Sequence, residues 1–146
     1  MDEPPVGKSA AIEARRIFFG DSSSVGEARA FVRNTLAETD APTDLVDAAV
    51  LLVSELATNV TLHARTHLQV SVRVDDGTLW AAVKDWNTRV PQACHTPVDA
   101  TSGRGLQLVD ALSNSWGVER DEDGKAVWFR LQLHPAVASN GGHAYR

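Results

Sequence analysis

Leu51-Leu52-Val53-Ser54-Glu55-Leu56-Ala57-Thr58-Asn59-Val60-Thr61-Leu62-His63-Ala64 decides how this chain is read. Its apolar residues recur at helical spacing, and it forms the second half of a helix predicted from about residue 43 to 64. At roughly 100° per residue, Asp47, Ser54, Thr58 and Thr61 fall on one narrow polar stripe. Glu55 and Asn59 lie off that stripe, one turn apart, on a face shared with Ala48, Leu51, Leu52 and Leu62. A carboxylate and a carboxamide stacked at i,i+4 on a mostly apolar face are costly unless something satisfies them. Water at the edge of the stripe is one answer, and a ligand is the other. The remainder of the chain favours the ligand.

Composition narrows the field. The 146 residues fit one domain, large enough to bury a core, and 43% hydrophobic with 23% charged residues is ordinary for a globular protein. Lys and Arg number 14 against 19 for Asp and Glu, so the net charge of −5 argues against direct nucleic-acid binding. The longest apolar run is broken by Glu55, short of the ~18 residues of a membrane helix, so no membrane partner is expected. Met1-Asp2-Glu3-Pro4-Pro5 has neither the basic nor the apolar region of a secretion signal. The lone Cys94 forbids an internal disulfide and suits a reducing compartment. The expectation is a cytoplasmic single domain.

Outward from the central helix, residues 1–14 read as a flexible tail, with a short strand over Arg15 to Gly20. Ser24-Val25-Gly26-Glu27 fits a capping box for a helix from about 24 to 38. Asp40-Ala41-Pro42-Thr43-Asp44 then starts the central helix. Beyond it, residues 67–74, which alternate apolar and polar, and residues 78–84 read as strands joined by Asp75-Asp76-Gly77, a hairpin turn. Trp86 to Ser102 has no periodicity and reads as a long functional loop or a disordered one. A helix opens at Gly103-Arg104-Gly105-Leu106, and strands at about 116–121 and 126–133 close the fold before a second flexible tail, 135–146. Antiparallel hairpins with helices gathered on one face make an α+β two-layer sandwich, with the folded domain spanning 15–134.

Three places in that order can carry chemistry. Glu55 can act as a general base, and Asn59, one turn on, offers a neutral oxygen of the kind Mg²⁺ shares with phosphate. Asp85 is an acid at the end of a strand that otherwise reads as buried. Gly103-Arg104-Gly105 at a helix start offers free amides to an anion. Each has a plainer reading: a solvated edge, a turn residue, a tight turn. His63 and His67 stand at i,i+4, but the helix is expected to end between them; Cys94 reads as incidental. Trp80 and Trp128 read as core or sheet-face residues, and Trp86 as packing rather than as a stacking partner.

Taken together and in order, these residues resemble the GHKL ATPase superfamily, and within it the bacterial serine-protein-kinase anti-sigma factors. Leu52-Val53-Ser54-Glu55-Leu56-Ala57-Thr58-Asn59-Val60 is similar to that family's N box. The resemblance covers about residues 15–133 and implies the Bergerat fold, with a mostly antiparallel mixed sheet and three main helices on one face. It implies ATP and Mg²⁺ as cofactors, with Asn59 on the metal and Glu55 as catalytic base. Asp85 would accept a hydrogen bond from the adenine amino group, with Asn87 beside it, and Gly103, Arg104, Gly105 and Leu106 would wrap the phosphates. It further implies a sigma factor and an anti-anti-sigma antagonist as partners, and a homodimer. Gly124-Lys125-Ala126-Val127-Trp128-Phe129 matches the closing strand.

Two positions depart from the pattern. The first glycine box, Asp-x-Gly-x-Gly in the family, is Asp85-Trp86-Asn87-Thr88-Arg89 here, and Ala126 stands where Thr is frequent. Without those glycines the backbone there is less free to adopt positive φ, which Asn87 tolerates better than most residues. The resemblance implies a regulatory serine/threonine kinase. The departures motivate the alternative, a module of the same fold that holds a partner without phosphorylating it.

Overall fold

The computed structural model describes residues 11–87 and 106–132. Five strands, β1 (Ile12–Phe18), β2 (Leu68–Asp75), β3 (Thr78–Asp85), β4 (Ser115–Asp121) and β5 (Gly124–Gln132), form one sheet in the spatial order β1-β2-β3-β5-β4. Each neighbouring pair is antiparallel, so among the described residues the expected mixed sheet contains no parallel pair. Strand β1 starts at Ile12, within the expected tail, because Ile12 to Phe18 pair residue by residue with Val74 to Leu68. The first hairpin turns on Asp76 and Gly77, both left-handed (φ 55° and 77°), the backbone that matches strand twist in a two-residue loop. At the second, Asp121 Oδ1 accepts the N–H groups of Asp123 and Gly124 at 2.7 and 3.0 Å.

Period-two alternation sorts the sheet into two faces. Leu68, Val70, Val72 and Val74 of β2, Leu79, Ala81 and Val83 of β3, and Val127, Phe129 and Leu131 of β5 are buried beneath the helices. The opposite face carries Trp80 and Trp128, 6.0 Å apart with the Arg73 guanidinium 5.3 Å from the Trp80 ring, so both tryptophans are sheet-face residues.

Helix α1 (Ser22–Leu36) lies against β1 and β2, and α2 (Thr43–Asn59) against β3 and β5. A third helix, α3, is described over 106–112, and its Val109 is fully buried in the same core. The cap of α1 differs from expectation. Asp21, not Ser24, is the N-cap: its carboxylate accepts the Ser23 N–H at 3.2 Å and the Ser23 hydroxyl at 2.8 Å. The Ser23 hydroxyl chiefly, with Ser24, holds the Asp21 carboxyl below its ordinary value. Ser24, fully buried, instead accepts the Gly20 N–H at 2.9 Å, a use the capping-box pattern does not anticipate.

Helix α2 buries Ala49, Val50, Leu52, Val53, Leu56 and Ala57, each larger side chain worth roughly 1.5–3 kcal/mol when fully removed from water. The exposed Arg33–Asp47 ion pair between α1 and α2, 3.2 Å, is worth under about 1 kcal/mol, so apolar packing holds the helices. At Asn59 the α-helix passes directly into a π turn, Val60–Ala64, closed by the Arg65 N–H on the Val60 carbonyl at 2.7 Å. Arg65 is left-handed (φ 56°) and stops the helix. By length and composition alone, Thr43–Ala64 is apolar enough to cross a membrane (mean hydropathy 1.6), but here it forms the centre of the core.

Gly20 locks the start of α1 to the segment after the π turn. Its φ is +90°, and a Cβ there would collide with the Thr66 carbonyl. Gly26, inside α1, faces open space. Gly20→Ala is therefore expected to lower unfolding free energy by more than about 1 kcal/mol, while Gly26→Ala raises it by about 0.5–1 kcal/mol. Urea titration of both variants checks this pair of opposite signs.

Candidate functional site

On α2 the polar residues divide into two sets. The Thr58 hydroxyl donates to the Ser54 carbonyl at 2.8 Å and the Thr61 hydroxyl to the Thr58 carbonyl at 3.0 Å. Asp47 is engaged with Arg33. Three of the four stripe residues, Asp47, Thr58 and Thr61, are thus engaged within the structure itself. Glu55 and Asn59, both half-buried, make no hydrogen bond or ion pair among the described residues. Their face is open, with Leu51 and Leu62 exposed; Leu52, expected to share it, turns into the core. The π turn that begins after Asn59 is a distortion found mostly at functional positions.

Asp85 is placed by the sheet. It continues the row Leu79, Ala81, Val83 on the core face of β3, so its carboxylate is directed inward and is 2% exposed. Oδ1 accepts the Asn87 N–H at 2.9 Å. Oδ2 lies 3.7 Å from Lys125 Nζ, which stands opposite Asp85 in the β3–β5 register. Gly124, at φ +155°, brings the β5 backbone so close that a Cβ would strike the Asp85 carbonyl and the Trp86 Cα. The end of β3 is also joined to the end of the central helix. The Trp86 N–H donates to Thr66 Oγ1 at 3.0 Å, and Thr66 lies two residues beyond the π turn. Helix terminus and buried carboxylate therefore belong to one corner of the fold.

Of the predicted residues, Glu55, Asn59, Asp85 and Asn87 lie on this helix and at this strand end. Leu106 is half-buried at the described start of α3 and packs on the core. Gly103, Arg104, Gly105 and Cys94 lie outside the described residues. Trp86 packs beneath the Lys84 ammonium, 5.0 Å from its ring. His63 and His67 are separated by the left-handed Arg65, and His67 sits edge-on to Phe19 at 5.9 Å. No group of three His, Cys, Asp or Glu side chains among the described residues could hold a metal unaided. Two participants escaped the sequence reading. Thr66 carries no motif, and Lys125 is visible only once the register sets it opposite Asp85.

Replacing Thr66 by Val removes the acceptor of the Trp86 N–H while keeping the side chain's shape. Thr66→Val is expected to cost about 1–3 kcal/mol and Thr66→Ser well under half of that, measured by denaturant unfolding.

Residues 20–131 match the histidine kinase-like ATPase domain family. No curated protein matches the sequence. Among solved structures, the RsbU and RsbW domains of Rv1364c from Mycobacterium tuberculosis superpose with a TM-score of 0.67 at 20% identity, over 85% of this chain and 33% of that one. The blue-light activated histidine kinase EL346 of Erythrobacter litoralis gives 0.51 at 29% identity, over 65% and 32%. The histidine kinase domain of the same protein gives 0.51 at 24%, over 76% and 60%. This chain spans about a third of the length of the first two. With the family match covering most of its length and all five strands and three helices in place, the chain belongs to the histidine kinase-like ATPase domain family of the GHKL superfamily.

Proposed function

We propose that this protein is an ATP-binding regulator of the anti-sigma type, with serine/threonine-kinase activity toward an anti-anti-sigma antagonist, acting in the cytoplasm as a homodimer. One observation carries the reading. Among the described residues Glu55 and Asn59 leave their side-chain oxygens unpartnered on one helix face, and that helix ends against the strand end bearing Asp85. The donor set fits a metal nucleotide. No described cluster holds a cation unaided, and Asn59 supplies the neutral oxygen of a metal whose remaining ligands come from phosphate.

ATP with Mg²⁺ supplies the phosphoryl group and neutralises its charge. Asn59 is assigned to the metal. Asp85 Oδ2, which accepts no hydrogen bond from the described residues, is assigned to the amino group of adenine. Glu55 takes the proton of the acceptor hydroxyl. Gly103, Arg104, Gly105 and Leu106 are assigned to the phosphates on their motif. The RsbU and RsbW domains of the M. tuberculosis neighbour are what direct the regulatory part of the proposal toward a sigma factor and its antagonist.

The second reading, a partner-binding module without phosphoryl transfer, is favoured by a specific feature. Trp86 and Asn87 stand where the family's glycine box begins, and Asp85 already faces Lys125.

Glu55→Ala is expected to reduce transfer from γ-labelled ATP to an antagonist protein by about 100-fold or more while ATP still binds. Asn59→Ala should abolish the Mg²⁺-dependent part of ATP affinity in calorimetric titration. Undiminished transfer by Glu55→Ala would sink the base assignment, and ATP binding without any transfer by the wild type would favour the module.

A further inference from the structure

A buried carboxylate needs compensation on both oxygens. Among the described residues, Asp85 has it fully on one only. Oδ1 is occupied by the Asn87 N–H, whereas Oδ2 has the Lys125 ammonium at 3.7 Å, well beyond the ~2.8 Å of a charge-assisted hydrogen bond. Lys125 thus balances charge without saturating the acceptor. Its side chain is 37% exposed, on a flexible four-carbon stem that reaches solvent, while Asp85 cannot move outward. The origin of that stem is anchored, because Lys125 is opposite Asp85 in the ladder and the adjoining Gly124 backbone is pressed onto the Asp85 carbonyl.

Resting on the nucleotide reading of this corner, we propose that Lys125 is the affinity-determining residue of the base site, an internal counter-ion that a ligand N–H donor must displace from Asp85 Oδ2. The fitting ligand edge presents a single donor, since among the described residues one carboxylate oxygen is left without a hydrogen bond. The 6-amino group of adenine has that form. Displacement costs the ion pair and returns Lys125 to water, so the protein binds the base more weakly than a neutral residue at position 125 would allow. Lys84, on the adjacent strand, carries the same charge but faces Asp121 at 3.9 Å and lies on the other side of the sheet, so it serves as the control.

The test is calorimetric titration of the full chain with Mg²⁺-ATP and with the triphosphate of unsubstituted purine riboside, which lacks the 6-amino group. Lys125→Met, Lys125→Gln and Lys84→Met are compared with the wild type, each first checked by thermal melting. Lys125→Met, and Lys125→Gln should the Met variant fail to fold, is expected to tighten ATP binding by about 3- to 10-fold. The purine riboside triphosphate should show little gain, and Lys84→Met none. ATP affinity that is unchanged or weaker in both position-125 variants overturns the role of Lys125 and leaves the nucleotide reading standing. An equal gain with Lys84→Met or with the amino-free analogue overturns it too, as a general charge effect. Absence of nucleotide binding in every folded variant overturns the nucleotide reading, and the displacement proposal with it.

Discussion

The seating of α2 on β3 and β5 is the constraint from which the rest of the structure follows. Leu52, Val53, Leu56, Ala57 and Val60 occupy the sheet side of that helix, and their burial fixes its rotation. Once it is fixed, Glu55 and Asn59 have no choice of direction: they stand half-buried at the flank of the buried row, on the face where Leu51 and Leu62 are exposed. A rotation by one residue would exchange a buried leucine for a carboxylate, an exchange too costly for a marginally stable fold. Functional direction is thus a by-product of core packing.

The same logic places Asp85. A strand has only two faces, and three apolar residues at i, i+2 and i+4 commit the fourth position of the row to the core. The carboxylate is carried inward at the end of β3, where the helix terminus, the Thr66 hydroxyl and the start of β5 converge. Burial makes its remaining oxygen a strong acceptor for any N–H donor that reaches it. It also makes the neighbouring cation consequential, since a charge beside a desolvated group matters more than the same charge beside a solvated one.

Much of this was legible beforehand. The alternation of β2 and β3, the Asp76-Gly77 turn and the 3.6-residue period of α2 are local signals, and each element formed where they indicated. The capping-box pattern at Ser24 misled because the helix starts three residues earlier, at an Asp21 N-cap whose carboxylate accepts the Ser23 N–H, which leaves Ser24 inside the first turn. On the polar stripe, the Thr58 and Thr61 hydroxyls are spent on carbonyls of their own helix. A hydroxyl with a carbonyl one turn behind it has a partner ready; a carboxylate at that position, which can only accept, does not.

The sequence by itself determined the element order, the core rows and which side chains are candidates for chemistry, because periodicity and residue type are properties of single segments. Tertiary structure alone decided which of those side chains meet. The π turn after Asn59, the Thr66 bond to Trp86 and the pairing of Lys125 with Asp85 join residues 20 or more positions apart or depend on how a helix ends against a sheet. Register is the reason. Lys125 acquires its relation to Asp85 only when β5 pairs with β3 in one alignment out of several, and that alignment is selected by the burial of Val127, Phe129 and Leu131 further along the strand.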